Sequence, residues 1–249
     1  FLAQDTHRPG QPACVVKKLA TWFKAEELAI ARRLFATEAQ TLEQLGQHDQ
    51  IPRLLAYFEQ NAEFYLVQEF IEGQPLVDEI GQCITGWDEA QIINFLNEIL
   101  PILSFVHDHR VIHRDLKPDN IIRRQSDGKL VLIDFGVAKH LSIGDTNTGR
   151  RTIAVGTSGY MPWEQNQGTP QVNSDLYAVG MIAIEAATGI HPDRLERDNA
   201  MVLQWRSGLP LFNPWLAAIL DGMVQANYRN RYQTAQEVLK DLNMIAPAL

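Results

Sequence analysis

Cysteine and long apolar runs are both scarce in this sequence. Its 249 residues include two cysteines, Cys14 and Cys83, too few for a disulfide framework or a cysteine-rich metal site. Cys14 lies in the apolar run ACVV, which favours a core thiol in a reducing compartment, and we therefore expect a cytoplasmic protein. No apolar run approaches the roughly 18 residues that span a bilayer, and the start FLAQDTHRPG has no signal-peptide pattern. We expect no membrane contact within this chain; any membrane tether would lie outside these residues.

Basic residues are also in the minority. Lysine and arginine together number 22, against 30 for aspartate and glutamate, which gives a net charge of −8. Nucleic acids and anionic membranes repel a chain of this charge, so neither is expected as the main partner. An anionic nucleotide would have to be bound by a few local cations. The 45% hydrophobic content is enough for one large domain or two small lobes with a real core.

The first 70 residues have the pattern of strands with one helix. Two extended pieces, FLAQD and ACVVKKL, flank a turn-rich segment and predict a hairpin. The stretches IPRLLAYFEQ and EFYLVQEF predict a second strand pair. Between the two pairs, an apolar stripe predicts a helix from about Trp22 to Leu45, with Gly46 at its end.

After a short connector near 69–76, the pattern becomes mainly helical. A helix over Asp88–His109 has Asp88 as its cap, although Pro101 must kink it or cost it a hydrogen bond. The segment Ser174–Thr188 is apolar on nearly every side, as in a helix buried within a lobe. Further amphipathic helices are predicted in FNPWLAAILDGMV and over Thr234–Met244. The sequence thus predicts an α+β fold with a small antiparallel-sheet lobe, which carries one main helix, and a larger, mainly helical lobe.

The stretch HRDLKPDN, at 113–120, concentrates charged groups next to an apolar pair. Asp115 and Asn120 have the spacing H-R-D-x-x-x-x-N, and DFG follows at 134–136 across a hairpin predicted by an Asp-Gly turn. Because a short hairpin brings its ends together, Asp115, Asn120 and Asp134 should converge in an oxygen-rich site that suits magnesium better than zinc. Each stretch alone is also compatible with a solvated polar turn; the combination favours a catalytic site.

Two charged residues of the first 70 stand out by their position in the pattern. Glu38 falls on the same helical stripe as Leu34 and Leu42, so its carboxylate points to the core and needs a cation. Strand alternation puts Lys17 on one face with Val15. From the pattern alone, a solvated edge lysine explains Lys17 equally well.

With these motifs, nearly the whole chain, to about Leu242, resembles the bacterial eukaryotic-type (Hanks-type) serine/threonine protein kinases. The resemblance implies that ATP donates a phosphate to serine or threonine hydroxyls of protein substrates. Asp115 would be the catalytic base that takes the substrate hydroxyl proton, and Lys117 would steady the transferring phosphate. Asn120 and Asp134 would hold Mg²⁺, with Mn²⁺ as an alternative ion. The lysine after HRDL favours a serine/threonine kinase over a tyrosine kinase.

The resemblance also assigns the nucleotide site and the domain boundaries. It implies an N-lobe over 1–70, a hinge over 71–76 and a C-lobe over 77–249. LVQEFIEG resembles the hinge, with Gln68 at the gatekeeper position and two backbone groups that read the adenine edge, although an ordinary strand exit would leave the same trace. Lys17 would bridge the phosphates and pair with Glu38, and two apolar side chains would sandwich the ring. The implied cofactor-binding residues are Lys17, Glu38, Val15, Glu69, Ile71 and Ile122.

The stretch VGTSGYMPWEQ resembles the end of the family's activation segment. Thr157 would bond to Asp115 and Lys117, and Glu164 would pair with Arg231. In addition, the resemblance implies that the aspartate at 175 accepts backbone N–H groups of the catalytic loop. The Pro-Trp pair before Glu164 departs from the family's usual Ala-Pro, a change that affects a supporting turn.

The resemblance also implies regulation by phosphorylation. In the family, the arginine at the position of Arg114 binds a phosphate on the activation segment. Lys139 would join Arg114 in one basic pocket, and Thr152 is the first candidate acceptor, Thr148 the second. Autophosphorylation would involve a transient homodimer. The alternative is that the basic pair beside Thr152 already neutralises the segment and both threonines are solvated loop residues.

One departure concerns the glycine-rich phosphate loop, because the chain contains no G-x-G-x-x-G. Phe1 begins just after the point where that loop should end, so we expect the loop in a segment upstream; the alternative is a protein without a phosphate lid. An active kinase remains the leading hypothesis, since the catalytic and ion-pairing residues are all present. A pseudokinase acting as a regulatory binding module and a small-molecule phosphotransferase are the alternatives, and the GTSGYMPWE stretch disfavours the latter.

Overall fold

The computed structural model describes residues 1–19, 25–61, 63–83, 85–135, 139–140, 156–199, 201–209 and 212–245. Its N-terminal part is a four-stranded antiparallel sheet with the strand order β1-β2-β4-β3 and one long helix, α1. Both predicted strand pairs are therefore confirmed. The predicted helix start near Trp22 lies outside the described residues. The elements are β1 (Leu2–Gln4), β2 (Ala13–Lys18), α1 (Ala25–Leu45), β3 (Leu54–Gln60) and β4 (Glu63–Glu69).

Strand register decides which side chains share a face of this sheet. Val15 on β2 lies opposite Gln68 on β4, and Lys17 lies opposite Leu66. Residues directly opposite each other in an antiparallel pair project from the same face, and so do residues two apart along a strand. These four side chains therefore share one face. Because Lys17 contacts Glu38 of α1, this is the face that α1 covers.

The rest of the chain is mainly helical, and the predicted α+β class is confirmed. Asp88 caps α3 (Glu89–Asp108) through a capping box, in which it accepts the Gln91 N–H at 2.8 Å and donates its own N–H to the Gln91 side chain at 2.9 Å. Nearly every residue of α5 is buried, as predicted, and Gly189 ends it with φ 67°. The helices are α2 (Leu76–Gln82), α3 (Glu89–Asp108), α4 (Trp163–Asn166), α5 (Ser174–Thr188), α6 (Pro214–Met223) and α7 (Ala235–Ile245).

Strands of two small sheets precede and follow the segment HRDLKPDN, at 113–120. The predicted Asp-Gly hairpin is present as β7 and β8, and β5 adds a third strand that the sequence pattern does not predict. Gly73 permits this pairing, because a Cβ there would lie 2.2 Å from the carbonyl oxygen of Arg123. The strands are β5 (Gly73–Pro75), β6 (Val111–Ile112), β7 (Ile121–Arg124), β8 (Leu130–Leu132) and β9 (Lys139–His140), with β6 paired to β9.

Short 3-10 turns connect several elements. One of them, Pro118–Asn120, ends the segment HRDLKPDN, and the others are Pro192–Arg194, Arg206–Gly208 and Tyr228–Asn230. Within the described ranges, no helix combines the length and the apolar character that a bilayer crossing requires.

Candidate active site

Asp175, in the first turn of α5, holds the segment that begins HRDLKPDN. Its carboxylate accepts the backbone N–H of His113 at 2.9 Å and that of Arg114 at 3.0 Å, which confirms the contact expected from the sequence. His107, at the end of α3, places its Nε2 2.9 Å from the same carboxylate. Burial alone would raise the pKa of Asp175, but the bonds from His107 and the loop hold it below its usual value. Asp175 is therefore a buried anion that fixes the loop.

Both carboxylate oxygens of Asp115 accept hydrogen bonds. Its Oδ1 accepts the Thr157 hydroxyl at 2.8 Å, and its Oδ2 accepts Asn120 Nδ2 at 3.1 Å. Lys117 Nζ lies 4.0 Å from the same Oδ2. The predicted bond of Thr157 to Asp115 is thus present, but its predicted bond to Lys117 is absent between these two described residues. That prediction was wrong because Lys117 approaches the Oδ2 side of the carboxylate, whereas Thr157 occupies the Oδ1 side.

Asn120 links the catalytic loop to the segment that carries Asp134. Its Nδ2 also donates to the backbone oxygen of Asp115 at 2.8 Å, and its own backbone oxygen accepts the N–H of Ile133 at 3.0 Å. The hairpin register, with Ile121 opposite Leu132, closes the two segments on each other. The predicted convergence of 115, 120 and 134 is therefore present in the fold.

An ion-paired chain of three side chains connects α1, β2 and the segment after β8. Lys17 Nζ contacts Glu38, and it lies 2.9 Å from Oδ1 of Asp134. Burial disfavours the ammonium, but the two carboxylates outweigh burial and raise the pKa of Lys17. Burial also raises the pKa of Glu38, an effect that the charge of Lys17 opposes. The pairing of Lys17 with Glu38, left open by the strand pattern, is present.

The residues present fit a hard divalent cation. The Asp134 side chain is 46% exposed, and its φ of 65° is in the left-handed region. Because Nδ2 of Asn120 donates to Asp115, its Oδ1 is the atom that would accept a cation. Within the described ranges, no group of three or more His, Cys, Asp or Glu side chains could hold a metal alone. A cation here would need phosphate oxygens as further ligands, which is the usual mode of magnesium binding.

The residues assigned to the adenine site lie on β2 and β7 and at the end of β4. Glu69 is the last residue of β4. Its carboxylate accepts hydrogen bonds from Arg53 Nε at 3.0 Å and from Arg53 Nη2 at 3.2 Å. Ile71 follows and is buried. Val15 on β2 and Ile122 on β7 are both half-buried. The roles of these residues in nucleotide binding stay predictions.

Of the residues assigned to regulation, only some are described. Arg114 is buried, adopts φ 72°, and has a pKa lowered by burial. Lys139 lies on β9 opposite Ile112. Thr148 and Thr152 lie outside the described residues.

The turn after Thr157 is anchored to the core by a buried ion pair, as expected. Arg231 bonds Glu164 at 2.7 Å within the core, and it also reaches the backbone oxygen of Asn173 at 2.9 Å. Ser174 donates to the same Glu164 oxygen at 2.9 Å. In contrast, the side chain of Trp163, which replaces the family's usual proline, is 69% exposed. The departure therefore leaves the anchoring ion pair intact.

Sequence reasoning missed three supporting contacts. His107 bonds Asp175; Gln165 donates to the backbone oxygen of Arg114; and the Tyr160 hydroxyl donates to Glu185. A signal existed for His107, because it lies directly after Val106 in the buried part of α3, where a polar ring needs a partner. The partners themselves lie far away in the sequence, so no local pattern identifies them.

A cavity of about 700 Å³ lies beside the catalytic loop. It borders Pro118 of the loop, α2 and the end of α5. Its lining mixes apolar and charged side chains, among them Val77, Ile80, Glu185, His191, Asp193 and Arg194. Pro118 lies three residues after Asp115, so the cavity borders the same segment of the chain without including Asp115 in its lining.

Comparisons with known proteins agree with this geometry. The protein kinase domain model matches residues 4–242. Serine/threonine-protein kinase C of Synechocystis sp. strain PCC 6803 is 42% identical over 248 residues, which cover 97% of this chain and 46% of that protein. Serine/threonine-protein kinase PknA of Nostoc sp. strain PCC 7120 is 40% identical over 250 residues, which cover 98% and 44%. Probable serine/threonine-protein kinase PknB of Lactococcus lactis is 32% identical over 254 residues, which cover 97% and 39%. The chain spans less than half the length of these relatives.

Proposed function

Because the chain belongs to the protein kinase family, whose members use ATP and a divalent metal, we propose that it transfers the γ-phosphate of ATP to serine and threonine hydroxyls of proteins. The observation that carries this proposal is the carboxylate of Asp115. It is held on Oδ1 by Thr157 and on Oδ2 by Asn120, next to a lysine. A general base must be positioned in this way before it can accept a proton from an approaching hydroxyl.

In the proposed reaction, the chain's own residues supply position and charge. Asp115 orients the substrate hydroxyl and accepts its proton as the oxygen attacks the γ-phosphate, whose bond to the β-phosphate oxygen breaks and releases ADP. Lys117, 4.0 Å from Asp115 Oδ2, compensates charge on the transferring group. Mg²⁺ held by Asn120 and Asp134, with Mn²⁺ as a substitute, would neutralise the phosphate oxygens. Phosphoryl transfer needs this positioning and electrostatic stabilisation more than covalent help.

For the nucleotide, we propose a site between an N-lobe over 1–70 and a C-lobe over 77–249, joined at 71–76. Lys17, oriented by Glu38, would bind the phosphates. The backbone of Glu69 and Ile71 would read the adenine edge, and two apolar side chains, Val15 and Ile122, would cover the faces of the ring. In support, Lys17 reaches Asp134 from the opposite part of the fold.

Protein substrates are proposed to bind along the cavity beside Pro118. The cavity is continuous with the loop that carries the base, and its mixed lining suits an extended peptide. The net charge of −8 makes nucleic acid an unfavourable partner.

We further propose that autophosphorylation within a transient homodimer activates the kinase, with Thr152 as the first acceptor and Thr148 as the second. Arg114, together with Lys139, would receive the phosphate. Burial lowers the pKa of Arg114, and a desolvated guanidinium interacts strongly with a phosphate because screening is weak. Mass mapping after incubation with ATP and magnesium should locate phosphate within 146–152, and Thr152→Ala should lose most of the activity. Full activity of this variant without phosphate in the segment would contradict the proposal.

The proposed location is the cytoplasm, where ATP is the available phosphate donor. Both cysteines are free, in agreement with a reducing compartment.

The test of the proposed activity is transfer of radiolabelled phosphate from [γ-³²P]ATP to a generic protein substrate, followed by analysis of the labelled amino acids. We expect phosphoserine or phosphothreonine in the wild-type reaction and none with Asp115→Asn. A pseudokinase would bind ATP without any transfer, and a small-molecule phosphotransferase would leave proteins unlabelled. Either result would overturn the proposal.

A further inference from the structure

The guanidinium of Arg123, on β7, joins three elements of the chain. Its Nε and Nη2 donate to the two carboxylate oxygens of Glu79 on α2, at 2.7 and 3.1 Å. Its Nη1 donates to Glu98 of α3 at 3.2 Å and, at 2.9 Å, to the backbone oxygen of Gly128 between β7 and β8. A two-bond contact between a guanidinium and a carboxylate fixes orientation as well as distance. Arg123 therefore ties α2 to α3 and to the hairpin in a defined geometry.

The helix α2 has few features of its own that fix its place. Its seven residues are fewer than an isolated helix needs to be stable in water, and its N-cap, Pro75, makes no side-chain hydrogen bond. Its buried residues are Leu76 and Ile80, and apolar burial of this kind is non-directional. The pair of Glu79 with Arg123 adds a directional contact, which sets how α2 lies against β7.

The same helix forms a wall of the cavity beside Pro118. Val77, Ile80 and Gly81 of α2 line this cavity, together with residues from the end of α5 and the turn after it. Nearly all of α5 is buried, and Pro118 is buried as well. Because buried contacts fix those two walls, the position of α2 decides the width of the cavity.

Arg123 is separated from both the nucleotide site and the base. Successive side chains of a strand project to opposite faces, so Arg123 points away from the face of Ile122, which we propose covers adenine. Its hydrogen-bond partners given above lie on α2, α3 and the hairpin turn, outside the segment 113–120. A change at the ion pair should therefore alter the binding of a protein substrate and leave the affinity for ATP unaltered.

We propose that Arg123 is a positioning residue for protein-substrate binding, which acts through Glu79 to hold α2 at the distance that the substrate requires. Glu98 and the Gly128 carbonyl anchor the guanidinium to the helix α3, much of which is buried, and to the hairpin. Glu79 is the partner on the cavity wall. This inference rests on the proposed binding of protein substrates along the cavity.

The test compares Glu79→Met with Glu98→Met. Each substitution removes one carboxylate from the same guanidinium, but only the first detaches α2. Steady-state kinetics with a generic protein substrate such as casein give KM and kcat, and calorimetric titration gives the dissociation constant of ATP. Glu79→Gln keeps an acceptor oxygen at the same length, so it serves as the conservative variant. Val77→Lys, which changes the lining of the cavity, reports whether the substrate binds there.

We expect KM for the protein substrate to rise roughly threefold to tenfold in Glu79→Met, with kcat and ATP affinity within about twofold of the wild type. Glu79→Gln should recover part of the loss, and Glu98→Met should remain near the wild type. In Arg123→Met with Glu79→Met, KM should rise no further than in Arg123→Met alone, because both changes break one contact.

An unchanged KM in Glu79→Met would overturn the inference, and so would equal increases in Glu79→Met and Glu98→Met or a parallel loss of ATP affinity. If Glu79→Met does not fold, Glu79→Gln takes its place, and a KM equal to that of the wild type then counts against the inference. An unchanged KM in Val77→Lys would refute substrate binding in the cavity, and the inference with it. A wild type that labels no protein would refute the proposed activity itself.

Discussion

Asp115 and Lys17 are positioned by different kinds of contact. The loop of Asp115 is fixed by the carboxylate of Asp175, whose side chain is 1% exposed. This carboxylate is bonded by His107 of α3 and by two backbone N–H groups of the loop itself. Lys17, by contrast, is 27% exposed and joins a sheet strand to Asp134, which is 46% exposed. The first arrangement is complete within the helical part of the chain. The second exists only when both parts of the chain come together.

This difference assigns separate tasks to the two regions. A carboxylate held by a buried network is preorganised, so a change there should alter the chemical step. An ion-paired contact that is partly exposed can be reached by a ligand, so a change there should alter nucleotide binding. Each substitution predicted below disrupts one of the two regions and leaves the other intact.

The largest effect is expected for Asp115→Asn. The amide keeps the size of the side chain but cannot take the substrate proton, so turnover should fall by about 10² to 10⁴. Steady-state kinetics with a protein substrate measure it. Asp119→Asn is the matched control, because Asp119 is an exposed acid in the same loop, and its turnover should stay near that of the wild type. Comparable losses in both variants would mean that general loop charge, and not the base, is responsible.

A smaller effect is expected for Lys17→Met on nucleotide affinity. Loss of a charged contact to the phosphates should weaken ATP binding by roughly 10- to 100-fold, which corresponds to about 1.5–3 kcal/mol. The neighbouring Lys18 pairs with Glu63 at 2.7 Å and is exposed, so Lys18→Met should bind ATP like the wild type. Calorimetric titration measures both. Equal weakening would show that Lys17 acts only through the net charge of the sheet.

The smallest effect is expected for Thr157→Val. This substitution preserves the shape of the side chain and removes the hydroxyl that bonds Asp115 at 2.8 Å. Turnover should fall about tenfold, the loss expected for one hydrogen bond to a charged group, with ATP affinity unchanged. Ser158→Ala is the control, since the Ser158 hydroxyl bonds Asp193 at 2.8 Å instead. A change in ATP affinity without a change in turnover would contradict the separation of the two regions.

The sequence predicts most of the polar contacts at the catalytic loop and fewer of those that support it. Asp115, Asn120 and Asp134 are predictable because a hairpin with an Asp-Gly turn determines where its ends lie. Glu38 is predictable because helical periodicity points it at the core. In each case a local pattern fixes the direction of the side chain.

The supporting contacts depend on tertiary structure. His107 and Asp175 are 68 residues apart, and Gln165 is 51 residues from Arg114, so no local period connects them. β5 has a glycine and a proline among its three residues, both unfavourable in strands, and it exists because β7 offers an edge to pair with. Gln68 has an ordinary strand position; only the fold shows that its Oε1 is buried and has no hydrogen-bond partner among the described residues.

The most direct test of the separation between base and nucleotide site is the ATP affinity of Asp115→Asn and Asp134→Asn, each measured with and without magnesium. We predict that Asp115→Asn binds ATP as tightly as the wild type and keeps the gain in affinity from magnesium, because its carboxylate faces the substrate hydroxyl. Asp134→Asn should lose that gain. If both variants lose magnesium-dependent binding to the same degree, the roles assigned to the two carboxylates are wrong.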